Sequence, residues 1–346
     1  MKNEKTKSTI NRRDFLRNTS FLTAGGILAG SGIDAFTAET SLPQSRSGKS
    51  YGLQIYSLWG FALPNDGGLA DDMKKVYDMG YSYLELAGYN QQTGNIGQVP
   101  MADVKKAASD AGLEIRCSHL NPTARGPYTR ENRAEIAEFW KKAAEDHAKI
   151  DVKMLVQPGQ PSTRNIPETR FVCEVFNEVG QICKNAGLSW GYHNHSNEFA
   201  WISPDSEAYV FAQRAPGGRG GGGTTADAAG GTQQQPQWVL IQDQFITNTD
   251  PSLVFFELDV YWTVMGLQDP LDWMRRYPNR IQVLHIKDRL VLGQSGLMNF
   301  EQIFRQAYAN NVHSFFVELE RMPAGTTQFD GVKGCADYLN TASFVK

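Results

Sequence analysis

Short apolar runs alternate with longer segments of helical character along most of the chain. The three clearest runs end on residues that can bind a metal ion or move a proton: residues 253–258 run into Asp259, 281–284 into His285, and 315–317 into Glu318. The segments between them, 270–277 and 299–310, have helical character. Apolar runs of this kind are typical of strands buried on both faces of a parallel sheet, so the stretch predicts successive βα units.

The same alternation of predicted strands and helices extends toward the N-terminus. Five further strands are predicted, at residues 51–58, 81–86, 113–118, 152–156 and 188–192. Helices are predicted at residues 71–79, 101–111, 130–150, 168–186, from Asp205 onward, and 329–338. Eight such repeats predict a single-domain (β/α)₈ TIM barrel over residues 51–346, a fold that needs about 250 residues. Parallel strands end on one face of a barrel, where active sites are built, so Asp259, His285 and Glu318 are expected to converge.

Residues 1–40 predict an export signal that precedes the barrel. A basic head containing Arg12 and Arg13 is followed by an apolar run at 21–30, which is too short to cross a bilayer because that takes about 20 residues. Residues 11–16 resemble the twin-arginine export motif, so the twin-arginine export machinery is the expected partner. No cysteine follows the run, so we expect no stable membrane anchor and a periplasmic or secreted protein. Residues 41–50 are predicted to be a polar linker.

One internal segment has almost nothing to bury. Residues 215–237 consist mainly of Gly, Ala, Thr and Gln, and residues 218–223 satisfy the string GxGxxG. A dinucleotide-binding fingerprint needs a strand before that string and a helix directly after it, and the sequence predicts neither. The segment is therefore interpreted as a flexible, Gly-rich insertion in the fifth βα loop region.

Composition narrows the choice of function. The net charge of −3 offers no basic surface, which disfavours a nucleic-acid partner. Hydrophobic residues make up 41% of the chain, enough to fill a large core. The four cysteines have neither CxxC nor zinc-finger spacing, and buried free thiols are the expected state. They are Cys117, Cys173, Cys183 and Cys335.

The motifs at four strand ends resemble those of a known superfamily. They are YHNH (192–195) with Glu198, LDVYW (258–262), LHIKD (284–288) and VE (317–318). Over residues 50–340 the chain is similar to the xylose isomerase-like TIM-barrel superfamily of sugar phosphate isomerases and epimerases. That resemblance implies a divalent metal ion, commonly manganese, held where strands five to eight end. On this chain the implied ligands are His193, Asp259, His285 and Glu318.

Strand five departs from the pattern of the compared epimerases. They have a glutamate at the position of His193, which serves as a ligand and as one of two acid/base carboxylates. The substitution weakens the case for two-base epimerisation and leaves Glu318 as the surer carboxylate. His195 lies on the same strand face as His193, so either could bind the metal. Glu320 competes with Glu318 for the same reason.

The chemistry of these residues is consistent with the resemblance. A mixed histidine and carboxylate set suits Mn²⁺, Zn²⁺, Co²⁺ or Fe²⁺. Such an ion can polarise a sugar carbonyl while a placed base removes the neighbouring proton. Glu318, His193 and Lys287 are the expected catalytic residues, although Lys287 could also contact substrate or pair with Asp288. The expected substrate contacts are Glu85, His119, His195, Trp59 and Trp262. His147 and His313 are expected at ordinary surface positions.

The predicted function is a metal-dependent isomerase or epimerase acting on a small sugar or keto-sugar. A 3-keto-glycoside lyase or hydrolase is the main alternative, since its reaction begins with the same proton abstraction. An alternative of a different class is a non-catalytic sugar-binding protein.

Overall fold

The computed structural model describes residues 48–64, 68–122, 126–159, 161, 163–203, 210–212 and 238–346. The predicted export signal, most of the linker, the helix expected from Asp205 and the insertion at 215–237 lie outside these residues, so they stay predictions. In the described part of the chain, no helix combines the length and apolar character that crossing a membrane requires.

Eight strands of the described chain close into a barrel, and every neighbouring pair is parallel. Going round the barrel the order is β1-β8-β7-β6-β5-β4-β3-β2, which confirms the predicted TIM barrel. The strands are β1 (Gly52–Gln54), β2 (Tyr83–Leu86), β3 (Glu114–His119), β4 (Met154–Gln157), β5 (Ser189–His193), β6 (Val254–Asp259), β7 (Ile281–Ile286) and β8 (Ser314–Val317).

Ten α-helices of the described chain connect or follow the strands. Predicted helix ends at Gly80 and Gly112 are confirmed, since both glycines adopt the left-handed conformation that ends a helix without a Cβ penalty. The helices are α1 (Tyr56–Trp59), α2 (Leu69–Met79), α3 (Met101–Ala111), α4 (Arg133–Ala148), α5 (Ile166–Asn185), α6 (Ile241–Thr247), α7 (Val260–Met265), α8 (Pro270–Arg276), α9 (Phe300–Ala309) and α10 (Gln328–Thr341).

The first strand is shorter than predicted. The expected strand at residues 51–58 ends at Gln54, and residues 56–59 form helix α1 instead. The side-chain oxygen Oε1 of Gln54 accepts the backbone N–H of Tyr56 at 3.1 Å, which takes that donor away from a sheet ladder. The side chain of Gln54 thus turns the chain at the rim of the barrel, and the apolar run alone does not reveal this.

An apolar layer fills the barrel interior on the N-terminal side of the strand ends that carry the candidate ligands. Tyr83, Cys117, Met154, Val156, Phe255, Val283 and Phe316 form a buried cluster separate from the main core. Gly191 on β5 makes room for it, because a Cβ on this residue would lie 2.4 Å from the Phe255 ring. Large side chains on alternate strands therefore pack against small residues on their neighbours.

The prediction that His147 lies at the surface is wrong. It is fully buried on helix α4, where its Nδ1 donates to the carbonyl of Ala143 at 2.7 Å. Its Nε2 lies 3.0 Å from the Ser118 hydroxyl, and burial lowers the pKa of His147 to about 4. The histidine is therefore a neutral core residue. His313 is exposed as predicted, and the four cysteines are free and buried as predicted.

Candidate metal centre and active site

Four side chains at the ends of neighbouring strands converge at the mouth of the barrel. They come from β5, β6, β7 and the residue that follows β8: His193, Asp259, His285 and Glu318. Each offers one ligand atom, and these four atoms all lie within 4.8 Å of one another. All four side chains are buried. The structure thus places together the four residues that the sequence singled out.

The spacing of these atoms fits a metal ion. Metal–ligand bonds of about 2.1 Å place neighbouring donor atoms roughly 3 Å apart and opposite ones about 4.2 Å apart. His193 Nε2 lies 4.0 Å from Asp259 Oδ2, and His285 Nδ1 lies 3.3 Å from Glu318 Oε2. Asp259 Oδ2 is buried and has no hydrogen-bond partner among the described residues. A cation at this point would satisfy that oxygen.

A ring of polar side chains lies directly behind the four. His193 donates from Nδ1 to Glu257 Oε2 at 3.0 Å, and His285 donates from Nε2 to Glu85 Oε2 at 2.7 Å. Each candidate ligand histidine is thus held on one nitrogen by a buried carboxylate, while the other nitrogen faces the proposed ion. Outer partners of this kind fix the tautomer and the ring orientation of metal-binding histidines.

The ring itself is a hydrogen-bonded network. His119 Nε2 donates to Glu257 Oε2 at 2.6 Å and lies 3.2 Å from Glu85 Oε1. Gln54 donates to Glu85 at 2.7 Å. The contacts at 2.6 and 2.7 Å are shorter than the roughly 3 Å that separates two neighbouring ligands of one ion. We therefore assign Glu85 and His119 to the support of the site, below the four converging atoms. His119 also belongs, with His193, Glu257 and His285, to a second group whose ligand atoms lie within 4.8 Å of one another.

Glu257 belongs to this ring, and the sequence analysis gave it no role. It lies inside an apolar run, two residues before Asp259, so both side chains face the same side of β6. A carboxylate inside an otherwise apolar strand was the available signal. The pairing of β6 with β7 shifts register between Phe256 and Glu257, and that of β2 with β3 shifts just before Glu85. Such irregularities re-aim side chains, and the sequence does not reveal them.

Burial and neighbouring charges shift the pKa of each candidate ligand. Burial, together with the charges of His285 and His119, places the pKa of His193 well below its usual range, so its imidazole is neutral. Burial raises the pKa of Asp259 to about 7. Burial alone would raise the pKa of Glu318, but the charge of Lys287 and the hydrogen bond and charge of His285 together outweigh burial, so the pKa lies well below its usual range.

His285 carries a proton that metal binding would release. Burial would lower its pKa, but Glu257 and Glu85 outweigh burial and hold the pKa well above its usual range. Because its Nε2 is held by Glu85, the proton that an ion would displace is the one on Nδ1. Metal binding here therefore competes with protons, as it does wherever ligands must be deprotonated.

Replacing Glu257 with Gln should weaken metal binding about 10- to 100-fold, because the uncharged amide no longer holds His193 in one tautomer. Competition with a coloured chelator measures the affinity directly. Asp146→Asn is the matched control, because Asp146 is a buried carboxylate on α4 that pairs with Lys142 and Lys149 instead of the ring. Equal affinities in the two variants would remove Glu257 from the support of the site.

Lys287 is a buried cation beside the four converging residues. Its Nζ lies 2.8 Å from Glu318 Oε2 and 2.7 Å from Glu320 Oε1, and it sits 5.0 Å above the Trp262 ring. Burial would lower the pKa of Lys287, but Glu318 and Asp259 outweigh it and raise the pKa above its ordinary value. The lysine is therefore a buried positive charge. Glu318 and Glu320 are its near partners and Asp259 Oδ2 lies 3.8 Å from its Nζ, while Asp288 accepts backbone N–H groups of its own loop.

An open cleft of about 820 Å³ lies over this centre. His119, His195, Glu318 and Glu320 line it. The His195 ring packs 5.6 Å from that of Trp262, and Glu198 accepts the backbone N–H of His195 at 3.0 Å. Of the five expected substrate contacts, two therefore reach the cleft and Trp262 adjoins it.

The other two expected substrate contacts lie elsewhere. Glu85 is buried in the ring behind His285. Trp59 packs against Phe329, with the ring centroids 6.5 Å apart, and does not belong to the described cleft lining. The roles of all five as substrate contacts stay predictions.

Comparison with solved structures gives close relatives. A sugar phosphate isomerase/epimerase from Parabacteroides distasonis ATCC 8503 is 46% identical, with a TM-score of 0.74, and the match covers 86% of this chain and all of that one. A second protein of that description from the same organism is 42% identical, with a TM-score of 0.73, over 86% and 98% of the two chains. An L-ribulose 3-epimerase shares the fold at 14% identity, with a TM-score of 0.60, over 84% and 92%.

A closed eight-stranded parallel barrel whose strand ends gather histidines and carboxylates defines a TIM-barrel protein of the xylose isomerase-like class. The chain belongs to the sugar phosphate isomerase/epimerase family, as its likeness to the two Parabacteroides proteins shows. No protein-family model and no curated protein matches the chain.

Proposed function

We propose that this protein is a divalent-metal-dependent sugar isomerase or epimerase that works by moving a proton next to a carbonyl group. His193, Asp259, His285 and Glu318 would hold the ion, with Mn²⁺ as the first choice and Zn²⁺, Co²⁺ or Fe²⁺ as alternatives. When bound, the ion supplies a Lewis acid that polarises a sugar carbonyl.

One observation carries this proposal. Both histidines in the group turn one nitrogen toward the group and have the other held by a buried carboxylate, Glu257 or Glu85. A histidine serving only the packing of the barrel would not need such an arrangement twice at one mouth. Asp259 Oδ2, which has no hydrogen-bond partner among the described residues and lies 3.8 Å from Lys287 Nζ, supports the same location.

Other steps of the proposed reaction depend on side chains of the protein. Glu318 is ionised and lines the cleft, so it can take a proton from the sugar carbon beside the carbonyl. Lys287 holds that carboxylate in place through its 2.8 Å contact and balances negative charge that develops in the sugar. His119 and His195 line the same cleft and can bind sugar hydroxyl groups.

A specific observation supports the second candidate, a 3-keto-glycoside lyase or hydrolase. Inverting a carbon centre through two carboxylates requires them on opposite faces of the sugar. Glu318 and Glu320 both line the cleft, but both contact Lys287 and approach from the same strand end. A single base suffices for elimination, in which proton removal is followed by loss of the group on the neighbouring carbon. The predicted export of the protein is also compatible with such a glycoside substrate.

Proton abstraction itself is the reaction to test. The purified protein is stripped of metal with a chelator, restored with Mn²⁺, and mixed in deuterium oxide with a panel of keto-sugars and 3-keto-glycosides. Nuclear magnetic resonance should show metal-dependent deuterium uptake beside the carbonyl, whichever product forms. Metal binding together with sugar binding but no exchange in any sugar would refute the enzyme and favour the sugar-binding alternative.

A further inference from the structure

The cleft extends well beyond the candidate metal centre. From Glu318 and His195 it reaches Tyr56 and Phe61, and then a small three-stranded sheet that follows β2, formed by Tyr89–Asn90, Asn95–Ile96 and Val99–Pro100. Its volume of about 820 Å³ lies toward the upper end of the range, about 300–1,000 Å³, of pockets that hold drug-sized ligands. One sugar ring at the metal centre would leave the outer part unfilled.

Two aromatic rings form the wall of this outer part. Tyr56 is 37% exposed and Phe61 62% exposed, and their ring centroids lie 4.8 Å apart. The backbone of Phe61 is fixed by close packing, since its carbonyl oxygen would lie 2.8 Å from a Cβ on either Gly88 or Gly97. A fixed, exposed phenyl ring in a cleft offers a flat apolar face to a ligand.

Uncharged amides face the same space. Asn90, Gln91 and Gln92 line the cleft from the small sheet and its turn, and Gln98 lines it from the same sheet region. An amide both donates and accepts hydrogen bonds, which suits hydroxyl groups in either orientation. These residues match a polyhydroxylated, uncharged ligand.

A phosphate group finds no matching charge among the described residues that line this cleft. The described residues that line the cleft include no lysine or arginine, whereas Glu318 and Glu320 place negative charge in it. Phosphates are bound in TIM barrels by loops after strands seven and eight, often through backbone N–H groups. Here the loop after β7 gives the N–H groups of Arg289 and Gly293 to the carboxylate of Asp288.

We propose that the substrate is an unphosphorylated glycoside, whose reacting sugar lies over the candidate metal centre and whose attached group lies against Tyr56 and Phe61. This inference rests on the proposed function for the reacting sugar. The proposed substrate class excludes sugar phosphates. It favours glycosides, which consist of a sugar and an attached group, over free monosaccharides.

Phe61→Ala tests the outer subsite with two matched probes, the methyl and phenyl glycosides of one 3-keto-sugar, and with a 3-keto-sugar phosphate. The wild type with Mn²⁺ should prefer the phenyl to the methyl glycoside, and Phe61→Ala should lower that preference about fivefold. Leu297→Ala is the control, because Leu297 is also exposed but lies outside the cleft lining, and its preference should equal that of the wild type.

Titration calorimetry and deuterium exchange separate the two proposals. Calorimetry measures the phenyl preference in binding even if no sugar exchanges a proton, so absent exchange with an intact preference would refute the proposed function alone. A preference that Phe61→Ala leaves unchanged would overturn the subsite. Tighter binding of the phosphate ester than of either glycoside would overturn the assignment to unphosphorylated substrates.

Discussion

Asp259→Ala should yield a folded protein that has lost its metal ion and therefore its activity. Asp259 Oδ2 is buried beside His193 and Lys287 without a hydrogen-bond partner among the described residues, so the ion is its expected partner. Elemental analysis of the purified variant beside the wild type measures the loss directly, and circular dichroism checks the fold.

The same substitution also removes a helix cap, which requires a control. Asp259 Oδ1 accepts the backbone N–H of Trp262 at 2.8 Å at the start of α7. Asp269 caps α8 in the same way, through Leu271 at 2.8 Å, and is exposed. Asp269→Ala should therefore lose about 1 kcal/mol of stability and keep its metal. Metal content that is equally high in both variants would disprove the site.

Glu318→Gln should keep much of its metal yet lose proton transfer by about 10²- to 10⁴-fold. The amide oxygen can still approach an ion, but the amide cannot accept the proton of the sugar. Deuterium exchange beside the carbonyl, measured at saturating Mn²⁺, separates this loss from weaker metal binding.

Glu320→Gln is the matched variant for this test. Glu320 lines the same cleft and contacts the same lysine, but it is absent from the group of four converging residues. If Glu318 is the base, exchange in Glu320→Gln should stay within a few-fold of wild type. The reverse result would transfer the role of base to Glu320, the alternative that the sequence left open.

The barrel and three of the four converging residues could be predicted because their signals are local. Each apolar run leads into its own candidate ligand, as the run at 281–284 leads into His285 on β7. Parallel strands of a barrel bring such ends to one face. No distance between strands has to be known for that conclusion. Asp259, His285 and Glu318 could therefore be named before their geometry was seen, whereas only the resemblance to the superfamily favoured His193 over His195 on the same strand face.

The ring behind them depends on relations that no local pattern contains. Glu257 becomes a partner of His193 and His119 only when the barrel closes and β6 shifts its register. Glu85 reaches His285 across the barrel interior, 200 positions away in the sequence. Sequence periodicity can place each of these residues on a face, but it does not pair them.

The burial of His147 could have been predicted from its position in the helix, although the sequence analysis expected the residue at the surface. It follows Ile136, Trp140 and Ala143 at helical spacing on the buried face of α4. From its residue type alone, a histidine in the middle of a charged helix would be expected to be exposed to solvent. Judged by its position on that stripe, it belongs to the core.

The apolar layer beneath the ring bears on how an ion could reach the four converging atoms. Tyr83, Phe255 and Phe316 pack together in this layer, and Glu318, one of the four converging residues, lines the cleft. If the proposed ion enters from the side of the cleft, it would have to arrive before a sugar and could depart only after it. Occupancy of the cleft would then slow the arrival and departure of the ion alike, and trap it kinetically even where its affinity is unchanged.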